Sequence, residues 1–207
     1  MKKFLPIFCL AVLFSTSSYA TGFFIGADAL FANSQHKVKN LSDNLGPKNG
    51  DSVDADKLNY GVNAGVRLDV LNLLASAELF YDNLQTSARN FAATNNQISA
   101  GDSVGIKNRY GVKANAGFAI LPRVTPFLTF GLANVDYSSD VLSSNSSIAK
   151  SSKATPLYGV GILIDLPLGF SVKGSYDYQQ FNMGYAQSGS KIRTHLGVAK
   201  LGLVYNF

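Results

Sequence analysis

The chain has 207 residues, a formal net charge of +5, and 15% charged residues, against about 25% in average soluble domains. Its one cysteine, Cys9, lies near the N terminus, so the rest of the chain can form no disulfide and offers no cysteine ligand or nucleophile. After residue 20 no stretch is apolar over ten residues, which excludes a transmembrane helix there. Such a chain can still hide its apolar residues by alternating them along strands.

The first 20 residues have the pattern of a cleaved secretory signal. Two lysines follow the first residue, residues 5–14 are apolar, and Ser18-Tyr19-Ala20 places small residues where a signal peptidase requires them. The apolar segment is too short for a bilayer anchor, which needs about 20 residues. We therefore expect residues 1–20 to be removed and residues 21–207 to form one domain, with a charge of +3 once the two lysines are subtracted.

Apolar and polar residues alternate in eight segments of strand length. In the clearest segment, 58–70, every even position is apolar and the odd positions are Asn, Gly, Arg or Asp. A strand places these two sets on opposite faces, whereas a helix would scatter both around its circumference. The pattern predicts strands near residues 23–31, 58–70, 73–82, 107–120, 126–137, 158–166, 170–179 and 199–207.

The strand near residues 126–137 is irregular, because its apolar residues change parity along the segment. A β-bulge near Ala133-Asn134 would bring them onto one face. One parity holds Leu128, Phe130 and Leu132, and the other holds Phe127, Val135 and Tyr137.

The connections between these strands are alternately long and short. Short links are expected at 71–72, 121–124 and 167–169, and long ones at about 33–57, 83–105, 138–154 and 182–193. Tight turns at one end and long loops at the other are typical of barrels in the bacterial outer membrane. The sequence therefore predicts an all-β fold: a transmembrane, eight-stranded, antiparallel, up-and-down β-barrel with short periplasmic turns and four longer external loops.

The polar face is expected to line the lumen, and the apolar face to meet lipid. A soluble barrel would have the same period with the faces exchanged. Here, however, glycines recur on the polar face, and a narrow lumen needs their small size. Charges of both signs share that face, and buried charges must pair. We expect a lumen ion-pair network of Arg67, Glu78, Asp82, Arg109, Lys113, Asp165, Lys173, Asp177 and Lys200, and parity places Lys107 on the same face.

The aromatic residues sort by height along the strands. If the N terminus is periplasmic, tyrosines lie near the external rim and phenylalanines near the periplasmic rim, as interfacial side chains do. The two predicted girdles comprise Phe23, Tyr60, Tyr81, Tyr110, Phe118, Tyr137, Tyr158, Phe170 and Tyr178, with Phe127 at the periplasmic rim.

The end of the chain supplies a resemblance. Leu201, Leu203, Tyr205 and Phe207 alternate up to the last residue. This strand resembles the sorting signal of outer-membrane barrels, and residues 21–207 resemble the small barrels of the OmpA/OmpX and opacity-adhesin type. The resemblance implies insertion by the barrel-assembly machinery and contact with outer-membrane lipid and lipopolysaccharide. It also implies roles in adhesion, immune evasion or envelope integrity.

No catalytic constellation is evident in the sequence. Barrel enzymes that act on outer-leaflet lipids use a His-Ser dyad, but His195 lacks the His-x-Ser pattern of the lipid A deacylases and His36 lies in the first long connection. Glu78 and Asp82 share a face, and structural ion pairing explains them more simply than acid–base chemistry. We expect a non-enzymatic monomer without cofactor or metal ion. Its dispersed basic residues argue against nucleic acid.

Three functions stay open at this level. The favoured one is a surface protein, adhesin-like, that contacts host or envelope molecules through its external loops. The first alternative is a structural or narrow-channel barrel for envelope integrity, whose lumen network opens transiently. The second is an outer-leaflet lipid-modifying enzyme. Lys191 and Arg193, in the last loop, would favour lipopolysaccharide or host polyanions.

Overall fold

The computed structural model describes residues 20–39, 50–51, 59–89, 103–140, 154–184 and 191–207. The strands are β1 Ala20–Lys39, β2 Gly50–Asp51, β3 Asn59–Val70, β4 Leu73–Arg89, β5 Ser103–Phe118, β6 Val124–Asp140, β7 Thr155–Asp165, β8 Phe170–Gly184 and β9 Lys191–Asn206. A 3-10 turn, Pro167–Gly169, joins β7 to β8. Within these ranges no helix is long and apolar enough to cross a membrane.

The eight long strands close into a barrel. Each pairs antiparallel with its sequence neighbours, and β9 returns to pair with β1 from Phe24↔Asn206 to Lys39↔Lys191. The two residues of β2 add only a short pairing to β1, at Gln35 and His36. Within the closed barrel every long strand is paired on both sides, and beyond it β6 after Ala133 and β8 after Gln179 have a described partner on one side only. The predicted eight-stranded, up-and-down, antiparallel barrel is confirmed.

Three tight turns lie at one end of the barrel, which we call the short-turn end. They span residues 71–72, 119–123 and 166–169. Leu71, Arg123 and Leu168 have positive φ angles of 56°, 78° and 67°. Tight turns between twisted strands require such a conformation even where the residue is not glycine. At the opposite end, residues 40–49, 52–58, 90–102, 141–153 and 185–190 lie outside the described ranges.

The strands run further towards this opposite end than the alternation predicts. β1 continues to Lys39 and β9 begins at Lys191, inside segments expected to be loops. The reason is physical: beyond the hydrocarbon layer no lipid imposes an apolar face, so polar residues can continue the ladder without alternating.

The apolar face points outward, as predicted. Val62, Val112 and Leu203 each keep 50% of their surface exposed, whereas Asn63 and Lys113, next to the first two, are buried. The polar face therefore lines the lumen.

The prediction of a β-bulge near Ala133-Asn134 is wrong. β6 pairs with β5 without interruption from Phe127 to Asp136, and inward and outward positions alternate throughout. Phe127 and Val135 consequently point into the lumen, with 6% and 3% of their surface exposed. The prediction of Phe127 in the periplasmic girdle is wrong for the same reason.

The irregularity lies on β5 instead. Ile106 pairs with Tyr137 and Asn108 pairs with Asp136, so Lys107 has no partner on β6. Because of this extra residue Ile106 is buried, at 1% exposure, and Lys107 is exposed on the outside. The placement of Lys107 in the lumen by parity is therefore wrong.

The lumen is filled in layers. Towards the short turns lies an apolar layer of Leu74, Phe127 and Leu163. The middle holds buried charged residues, which we call the ion layer. Beyond it lies the upper apolar layer, formed by Leu30, Ala32, Leu84, Ile106, Val135, Phe181, Leu196 and Val198.

Candidate functional site

The ion layer is built from cross-strand partners on β4 and β5. Asp82 lies directly opposite Arg109, and Glu78 lies directly opposite Lys113. Cross-strand partners point to the same face, so each pair meets inside the barrel. Arg109 Nη2 lies 2.6 Å from Asp82 Oδ2, and Lys113 Nζ lies 2.7 Å from Glu78 Oε1.

Residues of β8 and β9 complete the ion layer across the lumen. Lys200 Nζ donates to both carboxylate oxygens of Asp82, at 2.6 and 2.8 Å. Asp177 Oδ2 lies 3.2 Å from Arg109 Nη2 and 3.4 Å from Lys113 Nζ. Close geometry of this kind offsets the large cost of removing charges from water.

The last cation of the layer is held more loosely. Lys173 Nζ lies 3.4 Å from Glu78 Oε2. Seven of the nine residues predicted to form the lumen network therefore meet in this layer: Glu78, Asp82, Arg109, Lys113, Lys173, Asp177 and Lys200.

Phe80 is a member of the ion layer that the sequence analysis missed. Its ring centroid lies 4.7 Å from Lys113 Nζ, 5.0 Å from Lys200 Nζ and 5.4 Å from the Arg109 guanidinium carbon. The negative face of an aromatic ring attracts cations. The ring therefore attracts three of the four cations in the ion layer, which holds only three carboxylates. Parity along β4 would have found it, because Phe80 lies between Glu78 and Asp82.

Arg67 and Asp165, the other two predicted residues, form a separate cluster at the short-turn end. The Arg67 guanidinium donates to both oxygens of Asp165, at 2.7 and 2.8 Å, and its Nε lies 2.7 Å from Asp69. The Ser171 hydroxyl also donates to Asp165, at 2.7 Å. This cluster lines an open cavity of about 290 Å³ at the barrel mouth.

One lumen carboxylate stands apart from both clusters. Asp28 is 4% exposed, accepts a hydrogen bond of 2.8 Å from Asn63, and makes no ion pair with a described residue. Its carboxylate occupies the space where a Cβ on Gly202, its cross-strand partner, would lie. Position 202 therefore requires glycine.

The predicted girdle residues lie on the outer surface wherever their side chains are described. The tyrosines lie towards the opposite end from the short turns, and the phenylalanines near the short turns. Those with at least 38% exposure are Phe23, Tyr60, Tyr81, Tyr110, Phe118, Tyr158, Phe170 and Tyr178. The Tyr137 side chain is outside the described part, although its backbone pairs with Ile106, an inward residue.

The structure also shows where the predicted sorting signal and His195 lie. Leu201, Leu203, Tyr205 and Phe207 are all exposed on the outer face. His195 Nδ1 lies 2.6 Å from the Tyr178 hydroxyl. The side chain of His36 lies outside the described part.

An apolar outer surface, two girdles of aromatic residues and a self-paired ionic interior define a membrane-spanning antiparallel β-barrel. Residues 6–207 match the family model described as the outer membrane protein beta-barrel domain. The chain belongs to this family, whose members lie in the bacterial outer membrane. The short-turn end of such a barrel is periplasmic.

Solved structures that are similar to the chain include several small outer-membrane barrels. Outer membrane protein AlkL, in lipid bilayers, is 17% identical over 93% of each chain, with a TM-score of 0.60. Ail, the attachment invasion locus protein of Yersinia pestis, is 18% identical over 90% of this chain and 99% of its own, with a TM-score of 0.45. Neisserial surface protein A is 17% identical over 92% and 99%, with a TM-score of 0.47. At 17% identity the likeness to AlkL shows the fold alone. No curated protein matches the chain.

Proposed function

We propose that the protein is a non-enzymatic surface protein that contacts host or envelope molecules through its external loops, an adhesin-like role. The observation that carries this proposal is the asymmetry of the connections. Links of two to five residues close the periplasmic end, whereas the external end connects its strands through residues 40–58, 90–102, 141–153 and 185–190. Long loops on a rigid scaffold are where binding functions concentrate.

The filled lumen supports a surface role over transport. The ion layer lies between two apolar layers, and Arg109, Asp82 and Asp177 have no exposed surface. A small cavity of about 30 Å³ reaches Glu78 and Lys173 from the periplasmic side. It has room for about two water molecules. Opening a channel would require separating buried ion pairs, at a cost of several kcal/mol.

Export and assembly complete the proposal. We infer that residues 1–20 are a cleaved signal peptide and that Leu201, Leu203, Tyr205 and Phe207 form the signal read by the barrel-assembly machinery. The closed barrel favours a monomer in contact with lipid and lipopolysaccharide, because every strand that crosses the membrane is already paired on both sides.

Replacing the external loops one at a time tests the adhesive role. Each of the four segments is exchanged for a short Gly-Ser link, and a heat-modifiable gel shift verifies that the barrel is folded. We expect at least one replacement to reduce the attachment of expressing cells to host cells or matrix proteins severalfold. The matched control changes Leu71-Asn72, a periplasmic turn, to Asn-Gly and should leave attachment unchanged.

Two outcomes would refute the proposal. In the first, all four loop variants fold and adhere as the native protein does. In the second, overexpression alters lipid A and His195→Ala abolishes the alteration, which would favour an enzyme instead.

A further inference from the structure

The bulge on β5 moves a cation from the lumen to the lipid-facing surface. On either side of the bulge, Ile106 and Arg109 point into the lumen. Between them, Lys107 and Asn108 both lie on the outer face. β-Bulges commonly re-aim one side chain in this way, often next to functional sites. Regular pairing would have kept Lys107 inside.

Lys107 differs from almost every other cation whose side chain is described. Arg67 pairs at the periplasmic mouth, and the ion layer pairs four more cations. No described carboxylate lies within ion-pair distance of Lys107, although Asp136 is on the neighbouring strand, opposite Asn108. Among the Lys and Arg residues whose side chains are described, Arg123, in a periplasmic turn, is the other one without an ion pair.

Polar side chains precede Lys107 on the outward face of β4 and β5, from the external tyrosine girdle outward. Tyr81 and Tyr110 face each other across β4 and β5, each 39% exposed. Asn83 faces Asn108 two residues further out, and its amide donates a hydrogen bond of 3.2 Å to the Tyr60 hydroxyl. Amides and phenols at this height meet lipid headgroups rather than acyl chains. The flexible stem of a lysine can lie along the apolar surface while its ammonium reaches the headgroup layer.

We propose that Lys107, with Asn83, Asn108 and the hydroxyls of Tyr81 and Tyr110, binds a phosphate of outer-leaflet lipopolysaccharide. The position favours lipid over a soluble anion, because these residues lie on the continuation of the lipid-facing surface and not on the loops. Amide and hydroxyl neighbours suit a phosphate carried on a sugar, since they can bond its hydroxyls while the ammonium pairs with the phosphate. The proposal depends on the outer-membrane location and not on adhesion.

Titration of the refolded barrel, in a neutral detergent, with lipid A tests this site. Binding of bis-phosphorylated lipid A is compared with that of its dephosphorylated form by native mass spectrometry. Lys107→Gln should weaken binding of the phosphorylated form about fivefold, the usual contribution of one lysine near an anionic membrane surface. Lys107→Arg should retain binding, and the control Arg123→Gln, at the opposite rim, should bind as the native protein does.

Two further arms identify the source of the phosphate. Phosphatidylglycerol and inorganic phosphate should bind more weakly than lipid A and should respond less to Lys107→Gln. If a gel shift verifies that both barrels are folded, equal binding of lipid A to the native and Lys107→Gln proteins would refute the proposed site. Equal responses to all three phosphates would overturn the assignment to lipopolysaccharide. Because loop adhesion plays no part in this assay, its failure would leave the proposed function standing.

Discussion

Neutralising Asp82 should destabilise the barrel more than neutralising its partner Arg109. The Asp82 carboxylate accepts two hydrogen bonds from Arg109, at 2.6 and 3.0 Å, and two from Lys200, at 2.6 and 2.8 Å. None of these three side chains has exposed surface. Asp82→Asn preserves the shape, removes the charge and replaces one acceptor oxygen by an NH2 donor, so the variant tests electrostatics and hydrogen bonding with little change in packing.

The expected magnitude follows from the charges in the ion layer. Four cations, Arg109, Lys113, Lys173 and Lys200, face three carboxylates, Glu78, Asp82 and Asp177. Asp82→Asn leaves four cations against two carboxylates. Loss of one partner from a buried ion pair costs about 3–5 kcal/mol. Arg109→Gln leaves three against three, with Asp82 still held by Lys200, so we expect about 1–3 kcal/mol.

The double variant Asp82→Asn/Arg109→Gln sharpens the comparison. It leaves three cations against two carboxylates, a smaller imbalance than Asp82→Asn alone. We therefore expect its cost to fall below the sum of the single costs, with a coupling of about 1–3 kcal/mol.

Urea unfolding in lipid vesicles measures these costs. The fraction of heat-modifiable, folded protein on a gel gives the midpoint and hence the free energy of unfolding. An Arg109→Gln cost equal to or above that of Asp82→Asn would refute the reasoning from charge balance. Strict additivity in the double variant would show that the two residues do not interact.

Three other outcomes are expected. Gly161→Ala should cost about 1–3 kcal/mol because its methyl group would overlap the Phe127 ring. Gly174→Ala, whose methyl group would meet Ile162 at an ordinary contact distance of 3.6 Å, should change unfolding by less than about 0.5 kcal/mol. Leu203→Arg, in the outward apolar band, should cost about 2–4 kcal/mol and Tyr205→Arg, near the rim, at most about 1 kcal/mol, both by vesicle unfolding. The native protein should be electrically silent in planar bilayers. Steady single-channel currents would show that the packed lumen opens.

The outward face could be predicted from the sequence because lipid constrains every outward position. Val62, Val112 and Leu203 must be apolar wherever the strand crosses hydrocarbon, so alternation identified them. No equal constraint acts on the lumen, where an apolar side chain is as well buried as a paired charge. Phe127 and Val135 are examples: both side chains are apolar, so their residue type did not reveal that they face the lumen.

The partners within the lumen could be predicted only in part. Asp82 and Arg109 are cross-strand neighbours on β4 and β5, which follow one another in the chain and are therefore adjacent in an up-and-down barrel. Lys200 reaches Asp82 from 118 residues away, and Asp177 reaches Arg109 from 68 residues away. Those contacts depend on the closure and stagger of the barrel, which no local pattern encodes.

Arg109 and Lys107 show how a single extra residue on one strand satisfies two opposite demands. Arg109 can be buried because two carboxylates meet it inside the lumen. Regular pairing would turn Lys107 inward into the upper apolar layer, in place of Ile106 and near Leu84 and Val135, where no carboxylate of the described residues lies. An unpaired charge there would cost several kcal/mol, and Ile106 would lose its buried position. The bulge avoids both costs. It therefore follows from the sequence of β5 as a whole, and it leaves Lys107 on the outer surface, where no described carboxylate lies within ion-pair distance of it.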